Sequence, residues 1–149
     1  MDRYGLDLAA WGFAVKVLEG LPPEALRFAS AALKLSFPST VTGLTSITDT
    51  DQLAGVAIFT PVCKGNSNLH IAAAKRHWFT PEFCRKMFFH GFVTLKATRL
   101  TASIEADNVL CQRLAVRTGF RFEGRLRGFE FGDLLMFGMC KGECKWVEL

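Results

Sequence analysis

The stretch 99–127, RLTASIEADNVLCQRLAVRTGFRFEGRLR, constrains the fold more than any other part of this chain. Its first seven residues alternate, with Leu100, Ala102 and Ile104 on one face and Thr101, Ser103 and Glu105 on the other, the period of a strand. Asp107 and Asn108 supply N-cap chemistry. Leu110, Leu114 and Ala115 then recur at helical spacing, and Gly119 stands where a helix needs a residue tolerant of positive φ. From Phe120 the period returns to two, with Phe122, Gly124 and Leu126 set against Arg121, Glu123, Arg125 and Arg127. A strand, helix and strand punctuated this closely form a βαβ-like unit, and the rest of the chain must supply its sheet.

The flanking segments do so. Residues 4–19 are rich in Leu, Ala, Trp and Val and read as a helix ending at Gly20. A second helix starts near Pro23, carries Leu26, Ala29 and Leu33 on one side, and stops before Pro38. The β-rich runs 41–48 and 52–60 are joined by Asp49, Thr50 and Asp51 as a hairpin, 61–67 is a loop, and 68–74 is a third strand. Thr80 is a good N-cap, Pro81 fits the first helical position and Glu82 suits the positive end of the dipole. From there Phe83, Met87, Phe88, Phe92 and Leu95 form a wide apolar face through Lys96. A last strand, 134–141, pairs with 120–131 through Gly132 and Asp133. The expectation is one α/β domain over 1–149, a mixed sheet with helices on both faces.

At 149 residues such a domain buries roughly two-thirds of the surface its unfolded form exposes, so it needs no staple. The five cysteines are odd in number and contain no CxxC pair, which points to reduced thiols in a cytoplasmic protein, with no metal site. No apolar run approaches the ~20 residues that span a bilayer, and no signal peptide is evident. The net charge of +4 is unevenly placed: residues 75–149 hold thirteen Lys or Arg against eight Asp or Glu, whereas 1–74 hold five against six. Scattered basic residues most often form a solvated face. Here they interleave with the strand and helix periods and form no continuous run, which favours a compact phosphate-bearing ligand over nucleic acid.

The string Asn108, Cys111, Leu114, Gly119, Phe120, Glu123, Gly124 and Arg127 resembles the N-x-x-[SA]-x-x-[LV]-x-x-x-x-G-F-x-x-E-G-x-x-R signature of GNAT acyltransferases. It is most similar to the branch of ribosomal-protein N-terminal acetyltransferases and short phage-encoded GNAT-like proteins. Gly132, Asp133, Met139, Glu143 and Trp146 fit that branch too. The resemblance runs from about Asn68 to Trp146 and implies a mostly antiparallel sheet with a splayed central parallel strand pair, 68–74 against 99–105. Acyl-CoA, in the first instance acetyl-CoA, would lie in the resulting V. Ala72, Ala73 and Ala74 at the strand end and the loop Lys75, Arg76, His77, Trp78, Phe79 and Thr80 would offer backbone N–H groups to its pyrophosphate, with Asn108 as a further contact. Lys75 and His77 stand where the family's loop carries glycines, and Lys75, Arg76 and His77 offer side-chain charge in return.

The chemistry implied is transfer of an acyl group to a primary amine, of a small molecule or a protein N-terminus. It needs a base and an acid. His70 on the central strand is the first candidate base and Glu105 the second. Many relatives use a Tyr as acid where this chain has Ala115, leaving Cys111, Ser103 or water. Each residue also has a bland reading: His70 as a satisfied sheet histidine, Glu105 as a strand-end charge, Asn108 as a plain N-cap. Trp11, Trp78 and Trp146 read as core anchors, Trp78 being the best placed to be an exception, and Arg121, Arg125 and Arg127 as a solvated face. The alternative to an enzyme is a GNAT-like domain kept as a binding or structural module. No membrane partner is implied, and the apolar tail around Trp146 is compatible with a homodimer.

Overall fold

The computed structural model describes residues 15–149. Seven strands form one sheet in the order β1-β2-β3-β4-β5-β7-β6. They are β1 (Val15–Glu19), β2 (Thr42–Thr48), β3 (Leu53–Cys63), β4 (Asn66–Ala73), β5 (Arg99–Glu105), β6 (Arg121–Phe129) and β7 (Gly132–Cys140). Three α-helices connect them: α1 (Pro23–Leu33), α2 (Pro81–Phe89) and α3 (Val109–Thr118). Every strand pair is antiparallel except β4 with β5.

Most boundaries follow the local chemistry. β5 spans the alternating run, the Asn108 side chain accepts the Cys111 amide at the start of α3, and Gly119 at φ 108° ends it. Thr80 accepts the Phe83 amide, with Pro81 opening α2. α1 presents Ala25 and Ala29, both fully buried, to Val56, Ile58 and Ala72, so two small side chains let the helix lie close on β3 and β4. The opposite face carries the main core, in which Phe83, Met87, Phe88 and Phe92 are all buried.

Four expectations need correction. The predicted helix 4–19 falls largely outside the described residues, and its last five residues are strand β1, where Val15 and Val17 are half-buried and Lys16 and Leu18 exposed. The predicted loop 61–67 shrinks to Lys64 and Gly65, because β3 runs on to Cys63 and β4 begins at Asn66. The long helix to Lys96 stops being α-helical at His90, where a π-helical turn, His90–Thr94, takes over and the Leu95 amide donates to the His90 carbonyl at 2.9 Å. In α3 the inner stripe is Cys111, Leu114, Ala115 and Thr118, whereas Leu110 is 78 % exposed.

The period of β6 is interrupted as well. Phe122 pairs with Phe137, but a bulge follows and Gly124 pairs with Met136. A single extra residue moves the following side chains to the other face of the sheet, so Phe122 and Leu126 do not share one. Trp146 is buried in its own chain, its Nε1 donating to the Thr118 carbonyl at 2.8 Å and its ring stacked on Phe88.

Candidate functional site

Among the described strands one seam is parallel, and the candidate site lies along it. β4 and β5 pair over three rungs only, Asn66 with Arg99, Ser67 with Leu100 and Asn68 with Thr101. Beyond these rungs each strand keeps its outer partner. β4 stays paired with β3 as far as Ala73 with Gly55, and β5 with β7 as far as Glu105 with Leu134. The inner edges therefore diverge over the last four or five residues of each strand, a wedge about 15 Å deep at ~3.3 Å per residue. Backbone N–H and C=O groups on those edges have no sheet partner, and buried groups of that kind require one. A polar clamp closes the vertex: Thr101 Oγ1 donates to Asn66 Oδ1 at 3.0 Å and accepts from Arg99 Nε at 3.0 Å. Arg99 then reaches Glu123 on β6 in a two-pronged pair.

At the open end, β4 runs into the 75–80 turn before α2. The Ala74 and Lys75 amides both donate to the Ala54 carbonyl at 2.9 Å, which anchors the strand end. The next four amides, of Arg76, His77, Trp78 and Phe79, donate to no described residue. His77 adopts φ 60°, the left-handed region in which a glycine is ordinarily found. The side chains of Trp78 and Phe79 face inward, at 6 % and 7 % exposure, and the indole of Trp78 meets the rings of Phe79 and Phe83 edge-on. Trp78 therefore presents its amide, with its indole in the core. It lies directly over Gly55, where any Cβ would collide with the indole ring. The Lys75, Arg76 and His77 side chains are exposed.

His70 follows the last rung of the seam by two residues, on the sheet face that carries α1. Its Nε2 lies 3.0 Å from Thr60 Oγ1, and the Phe37 ring meets it edge-on at 5.4 Å. Burial pushes its pKa below the ordinary 6.5. When Thr60 accepts the Nε2 proton, Nδ1 keeps a lone pair that no described residue uses. Ser103 and Glu105 project from β5 on this same face, by the alternation that pairs Asn68 with Thr101. Both are exposed, Ser103 Oγ contacting Met136 Sδ at 3.4 Å. Cys111 belongs to the opposite side, on the inner stripe of α3 one turn before Ala115, and burial raises its thiol pKa. The site thus offers a neutral imidazole on one side of the wedge and a protonated thiol on the other. Among the described residues no group of His, Cys, Asp and Glu could hold a metal ion.

Two features escaped sequence reasoning. Thr60, the partner of His70, lies on a neighbouring strand, and only the register of β3 against β4 brings it alongside. The Asn66–Thr101–Arg99 clamp joins polar residues near the starts of two strands, and only the register of β4 against β5 brings them together.

No protein-family model matches the chain. An uncharacterized N-acetyltransferase p20 from Bacillus licheniformis is 28 % identical over 107 residues, 65 % of this chain and 60 % of that protein. The chain thus spans less than two-thirds of this curated relative. A mutant of spermidine N-acetyltransferase SpeG from Vibrio cholerae superposes with a TM-score of 0.71 at 14 % identity, covering 90 % of this chain and 96 % of that one. The same enzyme in complex with CoA and spermine gives 0.68 at 12 % identity, covering 87 % and 96 %. The chain has the GNAT acyltransferase fold. The mostly antiparallel sheet and splayed parallel pair expected from the GNAT signature are both present.

Proposed function

We propose that the protein is an acyl-CoA-dependent N-acyltransferase that moves an acetyl group onto a primary amine of a small molecule. The observation that carries this reading is the combination of the β4–β5 wedge with four consecutive amides, 76–79, at its mouth that donate to no described residue. Such amides ahead of a helix N-terminus suit a pyrophosphate, and the glycine-like φ of His77 keeps the turn in the shape that a phosphate loop needs. Lys75 and Arg76 add exposed positive charge beside it. Asn108, at the start of α3, is a further candidate contact, although its N-cap bond already occupies its carbonyl oxygen.

When bound, acyl-CoA supplies an already activated thioester, so little is required of side chains. His70 takes the proton of the attacking amine at Nδ1, with Glu105 the second candidate. The free inner edge of β4 offers backbone N–H groups to polarise the acyl carbonyl. Cys111 holds the proton that the departing thiolate requires, with Ser103 or water as alternatives. The polyamine acceptor of the SpeG structures favours a small-molecule amine over a protein N-terminus.

Thiol release from acetyl-CoA, measured over a panel of polyamines, monoamines and a peptide N-terminus, tests the reading. Amine-dependent release is expected, with the best polyamine or monoamine exceeding the peptide. His70→Ala should lower the rate by about 10²–10⁴, the ordinary worth of a general base. Absence of acetyl-CoA binding overturns the proposal, whereas binding without release from any amine selects the binding-module alternative, which Ala115 in place of a tyrosine favours.

A further inference from the structure

A cavity of about 550 Å³ lies outside the wedge, between the ends of β1 and β2 and the second half of α2. Small-molecule sites are typically of roughly 300–1,000 Å³. At 1.5 Å per residue His90 lies about 13 Å along α2 from Pro81 and Arg85 about 6 Å, so the cavity is set back along the helix from the 75–80 turn. Leu21, Val41, Leu44, Phe89 and Trp146 supply its apolar lining. Phe89 is 52 % exposed, an aromatic ring that the core does not use. Among the lining residues His90 Nε2 lies 2.9 Å from Thr42 Oγ1, and the His90 ring rests against Phe59 at 5.1 Å. His90 and Thr94 both line the cavity and belong to the π-helical turn, a geometry that concentrates at functional sites.

Charge narrows the choice of ligand. Glu19, the last residue of β1, and Arg85, on α2, line the same cavity, and neither forms an ion pair with a described residue. Lys86 beside Arg85 has a long contact, 3.8 Å, to Glu82. A simple carboxylic acid would meet the like charge of Glu19, and a simple amine that of Arg85; like charges brought together in this way are the usual means of rejecting a ligand. A molecule carrying both an ammonium and a carboxylate on an apolar body matches both charges and the apolar lining. We propose that this cavity binds a zwitterionic amino-acid-type ligand, its ammonium at Glu19, its carboxylate at Arg85 and an apolar side chain against Leu21, Val41 and Phe89. Occupancy requires neither acyl-CoA nor turnover.

The test is titration of the full chain with L-leucine and L-phenylalanine, followed by calorimetry and by backbone amide shifts. Isocaproate and isoamylamine, which each lack one charge of leucine, serve as controls. Saturable binding of at least one amino acid is expected, with shifts at Gly20, Gly43 and His90. Glu19→Gln and Arg85→Gln, both surface substitutions, should each weaken it by about tenfold or more without changing the melting temperature. No saturation by either amino acid below about 10 mM overturns the proposal. So do shifts confined to residues 75–80, equal affinity for either control, or unchanged affinity in either variant.

Discussion

Burial holds the His70 imidazole neutral below pH 6.5, and the same burial makes it a liability in acid. The unfolded chain takes up the proton first, so stability contributed by the neutral form is complete above pH 6.5 and declines as the pH falls toward the lower folded-state value. His90 adds a decline of the same sign, since burial also lowers its pKa and Glu19 offsets this only in part. Urea midpoints measured between about pH 7.5 and 5 should therefore fall less steeply for His70→Gln than for the wild type, and less again with His90→Gln added. An unaltered slope in the double variant would remove burial of the two imidazoles as the cause. His77 carries a different cost. A Cβ in the left-handed region costs about 1–2 kcal/mol, and glycine's extra chain entropy returns about 0.5–1 of that. His77→Gly should thus raise the melting temperature by about 1–4 °C, read by calorimetry, while leaving acetyl-CoA affinity equal or higher. A fall in affinity would mean that the imidazole itself, and not the turn shape, serves the ligand.

The turn is held in place by the element beneath it. Gly55 on β3 gives the Trp78 indole its seat, and the Ala54 carbonyl beside it takes both the Ala74 and Lys75 amides. Gly55→Ala inserts a methyl into the ring, an overpacking worth about 1–3 kcal/mol, and the relief lies in moving the 75–80 turn. The expected result is a lowered melting temperature together with weakened acetyl-CoA binding, whereas Gly124→Ala, in open space on β6, should alter neither. Much at this scale was legible in advance, because β5, both N-caps and the Gly119 stop depend on residues adjacent in sequence. What was illegible depends on partners distant in sequence. The short edge strand β1 lacks a strong alternation of its own and takes its conformation from β2. The bulge after Phe122 is imposed by the register with β7, and the indole of Trp78 turns inward because a glycine on another strand leaves room. His70 could be named from the sequence, but Thr60, which orients it, could not. The α-helix expected to run to Lys96 yields to a π-helical turn where His90 bonds Thr42 and Ala97 bonds Gly91, contacts that no helical period encodes.

Taken as a whole, the sheet is two sub-sheets, β1–β4 and β5–β7, joined through three rungs and a polar clamp. The clamp's outer arm, the Arg99–Glu123 pair, is about a third exposed on each side chain, so solvent screening limits its worth to about 1 kcal/mol or less. Packing of α2 and α3 on the shared core, in which Phe88 touches both Phe120 and Trp146, does more to hold the halves together. The geometry leaves the wedge edges of β4 and β5 under-bonded while each strand is firmly paired on its outer side, and hydrogen exchange reads that difference directly. In the free protein, amides in 69–73 and 102–105 that face the wedge should exchange faster than those facing β3 and β7. Acetyl-CoA should slow exchange across these two stretches and 76–79, leaving β1, β2 and the β6–β7 hairpin little changed. Ligand at ~100 times its dissociation constant adds about 2.7 kcal/mol, and slowing spread evenly over every strand would reflect only that global stabilisation. Protection concentrated on the two inner edges would instead place the ligand between the sub-sheets, where it bridges a seam that the chain's own hydrogen bonds leave open.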